Sequence, residues 1–199
     1  PAAKNNPERF EEINSGLPLF TGKIAIRNSK IGELGLSYMG GVYNKFQDEG
    51  IILDKKRRVD IYALDFNTTL PKIKTFITSE LAWVKVDVPE TYGQQFGNKQ
   101  FGGFIDIVQP LLTKNVLGWE DVVLNLACRL EYVDWNVGTF NETSGNIAED
   151  IWSIMPAISF RPTSQTVFRL NYRFQKQTDI LGNPPATTDG FSVGVSTYF

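Results

Sequence analysis

The chain has 199 residues, 42% of them hydrophobic, with a formal net charge of -2 and a pI near 5.3. That balance lacks the basic excess of a nucleic-acid-binding domain, and no apolar run reaches the ~18 residues of a membrane-spanning helix. Histidine is absent and Cys128 is the only cysteine, which excludes from this chain His-based catalysis, His-ligated zinc, an internal disulfide and a thiolate cluster.

Residues 1–18 hold the one helical candidate, a short polar stretch at 7–14. From there the sequence alternates apolar and polar residues with period 2, the signature of strands with two different faces. In the first segment, predicted over 21–28, Phe20, Ile24 and Ile26 oppose Lys23, Ala25 and Arg27. In the second, Leu34, Leu36, Tyr38 and Val42 oppose Gly35, Ser37, Met39 and Gly41. Next, Tyr62, Leu64 and Phe66 oppose Asp65 and Asn67, and Ile73, Ile77, Leu81 and Trp83 oppose Lys74, Thr78, Glu80 and Ala82. Phe101, Ile105 and Ile107 face away from Gly102 and Asp106, with Phe104 breaking the pattern. Val122, Leu124, Leu126, Cys128, Leu130 and Tyr132 then oppose Asn125, Ala127, Arg129 and Glu131. In the last three segments Trp152, Ile154, Ile158 and Phe160 oppose Ser153, Ala157, Ser159 and Arg161. Phe168, Leu170, Tyr172 and Phe174 oppose Arg169, Asn171, Arg173 and Gln175. Phe191, Val193, Val195 and Phe199 oppose Ser192, Gly194, Ser196 and Tyr198. The reading is all-β, with about nine strands.

Alternation also suits a soluble β-sandwich. Three features favour an antiparallel transmembrane β-barrel. Several strands run to ten or more residues, where a tilted membrane strand needs ~9–11. The polar face mixes charges with Gly, Ala and Ser, while aromatics gather near strand ends. Connections alternate in length: short at 28–30, 69–71 and 161–164, long and polar at 45–57, 89–99, 136–149 and 177–189. The connection at 113–120 reads as intermediate and fits the alternation least.

The closing run Phe191-Ser192-Val193-Gly194-Val195-Ser196-Thr197-Tyr198-Phe199 resembles the C-terminal signature by which bacterial outer-membrane proteins are recognised for barrel assembly. The runs Gly32-Glu33-Leu34-Gly35-Leu36-Ser37-Tyr38, Ile158-Ser159-Phe160-Arg161-Pro162-Thr163 and Val167-Phe168-Arg169-Leu170-Asn171-Tyr172 are similar to strands and turns of Gram-negative porins. Together they resemble the C-terminal portion of the porin group that includes the phosphate-selective porins. The resemblance implies a barrel of roughly 16–18 strands and an outer-membrane location. It also implies short turns facing the periplasm, 1–18 as an extracellular loop segment, 19–199 as barrel strands, and Phe199 as the assembly signal. About nine strands with an outside N-terminus implies further strands upstream, because single-chain bacterial barrels have an even strand number.

The expected function is passive diffusion of ions or small polar solutes. The alternatives are a scaffold or partner subunit of a larger envelope assembly, or the barrel of an active transporter. Candidate pore-lining residues are Lys23, Arg27, Asp65, Glu80, Asp106, Arg129, Glu131, Arg161, Arg169 and Arg173, because rings of charge set ion preference in pores. No catalytic residues, cofactor or metal are expected. Asp48, Glu49 and Asp54 in one long loop read as solvated charges. Expected partners are outer-membrane lipids and lipopolysaccharide, the barrel-assembly machinery, and a homotrimer or envelope complex, with no nucleic acid.

Overall fold

The computed structural model describes residues 17–91, 97–116, 118–140 and 142–198. The helical candidate at 7–14 and the terminal Phe199 lie outside these residues. All the regular elements described are strands. Nine form one antiparallel sheet: β1 (Phe20–Asn28), β2 (Gly32–Val42), β5 (Arg58–Thr69), β6 (Phe76–Val86), β7 (Lys99–Val116), β8 (Trp119–Asp134), β9 (Asp150–Arg161), β10 (Thr166–Gln177) and β11 (Ala186–Thr197). Each pairs with its neighbour in sequence. A separate two-stranded ribbon, β3 (Gln47–Asp48) and β4 (Ile51–Ile52), rises from the β2–β5 connection and packs on none of the nine. The sheet is open: among the described residues, the outer edges of β1 and β11 have no neighbour.

The connections sort by side. Among the described residues, 29–31, 70–75, 118 and 162–165 make one rim; 43–57, 87–91, 97–98, 135–140, 142–149 and 178–185 make the other. The 113–120 connection, read from sequence as intermediate, is instead a tight turn around Gly118, whose φ is 83°. Its polar flanks, Lys114, Asn115, Glu120 and Asp121, belong to long strands bent by register shifts between Pro110 and Leu112 and between Lys114 and Val116. Pro110 offers no N–H to the ladder, and a bulge is where a sheet tolerates that. Fourth-strand pairing begins only at Phe76, so Ile73 and Lys74 lie in a turn closed by hydrogen bonds from Lys74 N to Leu70 O (2.8 Å) and Leu70 N to Thr75 O (2.9 Å). At the last short turn Thr163 Oγ1 accepts from the N–H groups of Gln165 and Thr166, as small hydroxyl residues do in turns.

This sheet has almost no interior. Among the described residues only Val122, Ile147 and Val167 are buried hydrophobics. Leu126, Ile158 and Leu170, residues that a soluble domain would cover, are 47%, 48% and 46% exposed. The register explains their placement. Ile26, Leu34 and Phe66 lie in one cross-strand row; so do Ile105, Leu130, Ile154 and Phe174, and Leu126, Ile158, Leu170 and Val193. That face is therefore predominantly apolar across nine strands, with charges such as Asp60, Lys85 and Lys176 confined to its long-loop rim, and soluble monomers rarely leave so contiguous an apolar surface bare.

Aromatic rings on this face gather in two rows. Near the long-loop rim Tyr38 packs on Tyr62 (5.2 Å between centroids), Trp83 on Phe101 (5.5 Å), Trp152 on Phe174 (5.5 Å) and Tyr172 on Phe191 (4.9 Å). Near the short-turn rim Phe160 meets both Trp119 (6.4 Å) and Phe168 (6.5 Å). Aliphatic side chains fill the band between. Tyr38 also lies over Gly40, where an added Cβ would fall 2.1 Å from the Tyr38 hydroxyl oxygen, and donates that hydroxyl to Asp60 (2.7 Å).

Candidate pore-lining face

Strand pleating sends alternate residues to opposite faces, so the register of the sheet decides which side each charge takes. Lys23 shares a cross-strand row with Ser37, Ala63, Ala82, Gly102 and Val133. Asp65, Glu80, Phe104, Glu131 and Ser153 form the adjacent row. By the same register Arg27, Asp106, Arg129, Arg161, Arg169 and Arg173 project from this side. All ten candidate charges thus lie on the polar face, opposite the apolar one.

Most of them pair. Lys23 Nζ reaches over β2 to Asp65 on β5 (2.8 Å), a crossing possible because Gly35 between them has no side chain: a Cβ there would meet Asp65 Oδ2 at 2.3 Å and Lys23 Cε at 2.6 Å. Arg27 Nε donates to Glu33 (2.7 Å) across the first hairpin. The largest network spans four strands. Arg129 grips Asp106 through Nε (2.6 Å) and Nη2 (2.5 Å) and reaches Glu131 at 3.3 Å; Glu131 also takes Arg173 (2.8 Å) and the Ser153 hydroxyl (2.8 Å). The Phe104 ring lies 4.6 Å from the Arg129 guanidinium, so the residue that breaks the alternation serves as a cation–π partner. Glu80, Arg161 and Arg169 make no ion pair within 4 Å among the described residues. Cys128 lies on the apolar face.

Sequence reasoning did not single out Glu33 or Ser153. Glu33 faces Arg27 directly in the hairpin register, and Ser153, 1% exposed, is the small residue that lets Glu131 and Arg173 converge. The 28–30 turn fixes the first of these pairings and was the available signal. The second needed the offset of β8 against β10 across β9, which no local pattern carries.

The long loops join one another. Tyr43 donates its hydroxyl to Asp87 O (2.8 Å), and Lys55 pairs with Glu90 (2.8 Å). Arg57, 6% exposed, forms a two-pronged pair with Asp54 (2.7 and 3.0 Å) and lies 3.8 Å from Asp87. Gly97 N–H and Asn136 link the second and third loops, as does Val137 N to Lys99 O (3.0 Å). Thr178 ties the third and fourth by accepting from the N–H groups of Glu149 and Asp150. Hydrogen bonding from Arg57 holds the Asp54 carboxyl below its ordinary value, and Lys55 does the same to Glu90. Asp179 is lowered mainly by the Asn183 side chain. Asp48 pairs with Lys45 (3.1 Å), and no group of acidic or cysteine side chains among the described residues is arranged to hold a metal ion.

No family model matches the chain, and neither a curated protein nor a solved structure is similar to it.

Proposed function

We propose that the chain forms part of the wall of a bacterial outer-membrane β-barrel whose aqueous interior passes ions or small polar solutes by passive diffusion. The carrying observation is the division of one antiparallel sheet into a continuous, exposed, mainly apolar face with aromatic rings near each rim and an opposite face of solvent-accessible, mostly paired charges. Lipid satisfies the first face and water the second. A sandwich would need a second layer over the apolar face, and all nine long strands already belong to one sheet.

The open edges fit this reading. β1 and β11 both run from the long-loop rim to the short-turn rim. Each accepts an antiparallel neighbour only if that neighbour runs the other way. A closed wall of antiparallel strands then adds an odd number of strands to these nine, and closure leaves no backbone donors or acceptors unpaired in lipid. In the proposed barrel, lipids and lipopolysaccharide contact the apolar face, and the short turns face the periplasm.

Planar-bilayer recording of the full-length protein tests the reading. Discrete, stable conductance steps are expected. A full-length protein that stays monomeric without detergent and gives no conductance would overturn it.

A further inference from the structure

We propose that the polar face carries, near its short-turn rim, a contact site for neutral hydroxylated solutes of the sugar and polyol class. The proposal rests on the channel reading for the wetness of that face. The site is a depression of about 490 Å³ over β1, β2, β5 and β6, within the size range of small-molecule sites. Its floor is one cross-strand row, Arg27, Glu33, Asn67 and Thr78, flanked by the pair Thr69 and Phe76.

Two features of this floor point to a ligand class. The first is Phe76. Phe76 is 50% exposed on the polar face, which it shares with Phe104, and among the described residues it is the one aromatic side chain that lines the depression. An apolar ring held in water has a use when a solute brings an apolar surface to it. The C–H face of a pyranose is such a surface, and simple ions have none.

The second is the balance of polar groups. Arg27 and Glu33 neutralise each other, with Glu33 Oε2 2.7 Å from Arg27 Nε and 2.5 Å from Nη2. Among the described residues the side chains of Asn67, Thr69 and Thr78 have no hydrogen-bond partner, so one amide and two hydroxyls stand ready both to donate and to accept. A solute hydroxyl needs that double capacity. An anion would meet a guanidinium already taken, with Lys30 at the turn the one cation lining the depression that is unpaired among the described residues. A cation would meet a carboxylate already taken.

Saturation-transfer NMR on the full-length protein in detergent tests the site, with maltose as probe and inorganic phosphate as competitor. Transfer to the maltose ring protons is expected. Phe76→Ala should weaken it at least tenfold, Phe76→Trp should retain it, and Asn67→Ala and Thr78→Ala should each weaken it several-fold. Phe76 is half exposed, so its truncation leaves the fold intact, which circular dichroism verifies. No transfer from the wild type, undiminished transfer in Phe76→Ala, or displacement by phosphate would overturn the inference. A protein that contacts maltose but conducts nothing keeps this site and loses the channel; one that conducts but ignores maltose does the reverse.

Discussion

At the scale of single residues, the two faces respond differently to the same change. Leu126 and Leu170 sit in the aliphatic band between the aromatic rows, so in the proposed barrel Leu126→Arg or Leu170→Arg should cost ~2–4 kcal/mol by placing a charge near the bilayer midplane. Ser159→Arg, from the polar face in the row of Asn125 and Arg169, should cost far less. Denaturant unfolding in lipid vesicles measures both, and equal costs would contradict the facing. Gly35 gives a sharper case. Any side chain there intrudes on the Lys23–Asp65 bridge, so Gly35→Val should free Lys23 and raise its acylation by a limiting amine-reactive reagent several-fold. Asp65→Asn should give the same result without touching the backbone.

At the scale of elements, the long strands were legible because period 2 survives whatever the partner strand is. The sequence reads as about nine strands, and nine pair in one sheet among the described residues. The β3–β4 ribbon was not legible. Its two-residue strands are too short to alternate, and its turn at Glu49 and Gly50, both with positive φ, lies inside a charged stretch. The polar face could be read by parity; its pairings could not, since Lys23 with Asp65 and Glu131 with Arg173 each skip a strand. The loops were the least legible of all, because Arg57 is buried only where two separate connections meet. Arg57 holds the Asp54 carboxyl below its ordinary value of 3.8. The pair is therefore complete above that value and is lost as pH falls through the lower, shifted one. Amide exchange at Arg57, whose N–H donates to Asn44 (2.8 Å), and at Leu53 should stay protected from neutral pH down to the ordinary carboxyl range and speed up below it. In Asp54→Asn the protection should already be weak at neutral pH. Exchange that ignores both changes would show that the clasp does not hold the loops.

At the scale of the whole molecule, the pairing leaves few unpaired charges on the polar face among the described residues to act on an ion passing through the proposed channel. Arg161 and Arg169 lie on adjacent strands of the polar face, and Glu80 lies across the sheet from them. Arg161→Glu with Arg169→Glu should shift the reversal potential in a salt gradient toward cation preference, and Glu80→Gln should shift it the other way. Charge reversal without any shift would remove these residues from the conduction path. The aromatic rows carry a different consequence, one of membrane thickness. Trp152 and Phe160 are eight residues apart on β9, which is ~26 Å along a strand and ~20 Å along the membrane normal at a tilt of ~40°. In the proposed barrel this spacing matches a thin hydrocarbon layer. A thicker bilayer must pucker around the barrel, at a fraction of a kcal/mol per Å. Unfolding should accordingly become easier, step by step, as the protein is moved into vesicles of longer acyl chains, so that the spacing of two rings helps decide which membrane the protein can inhabit.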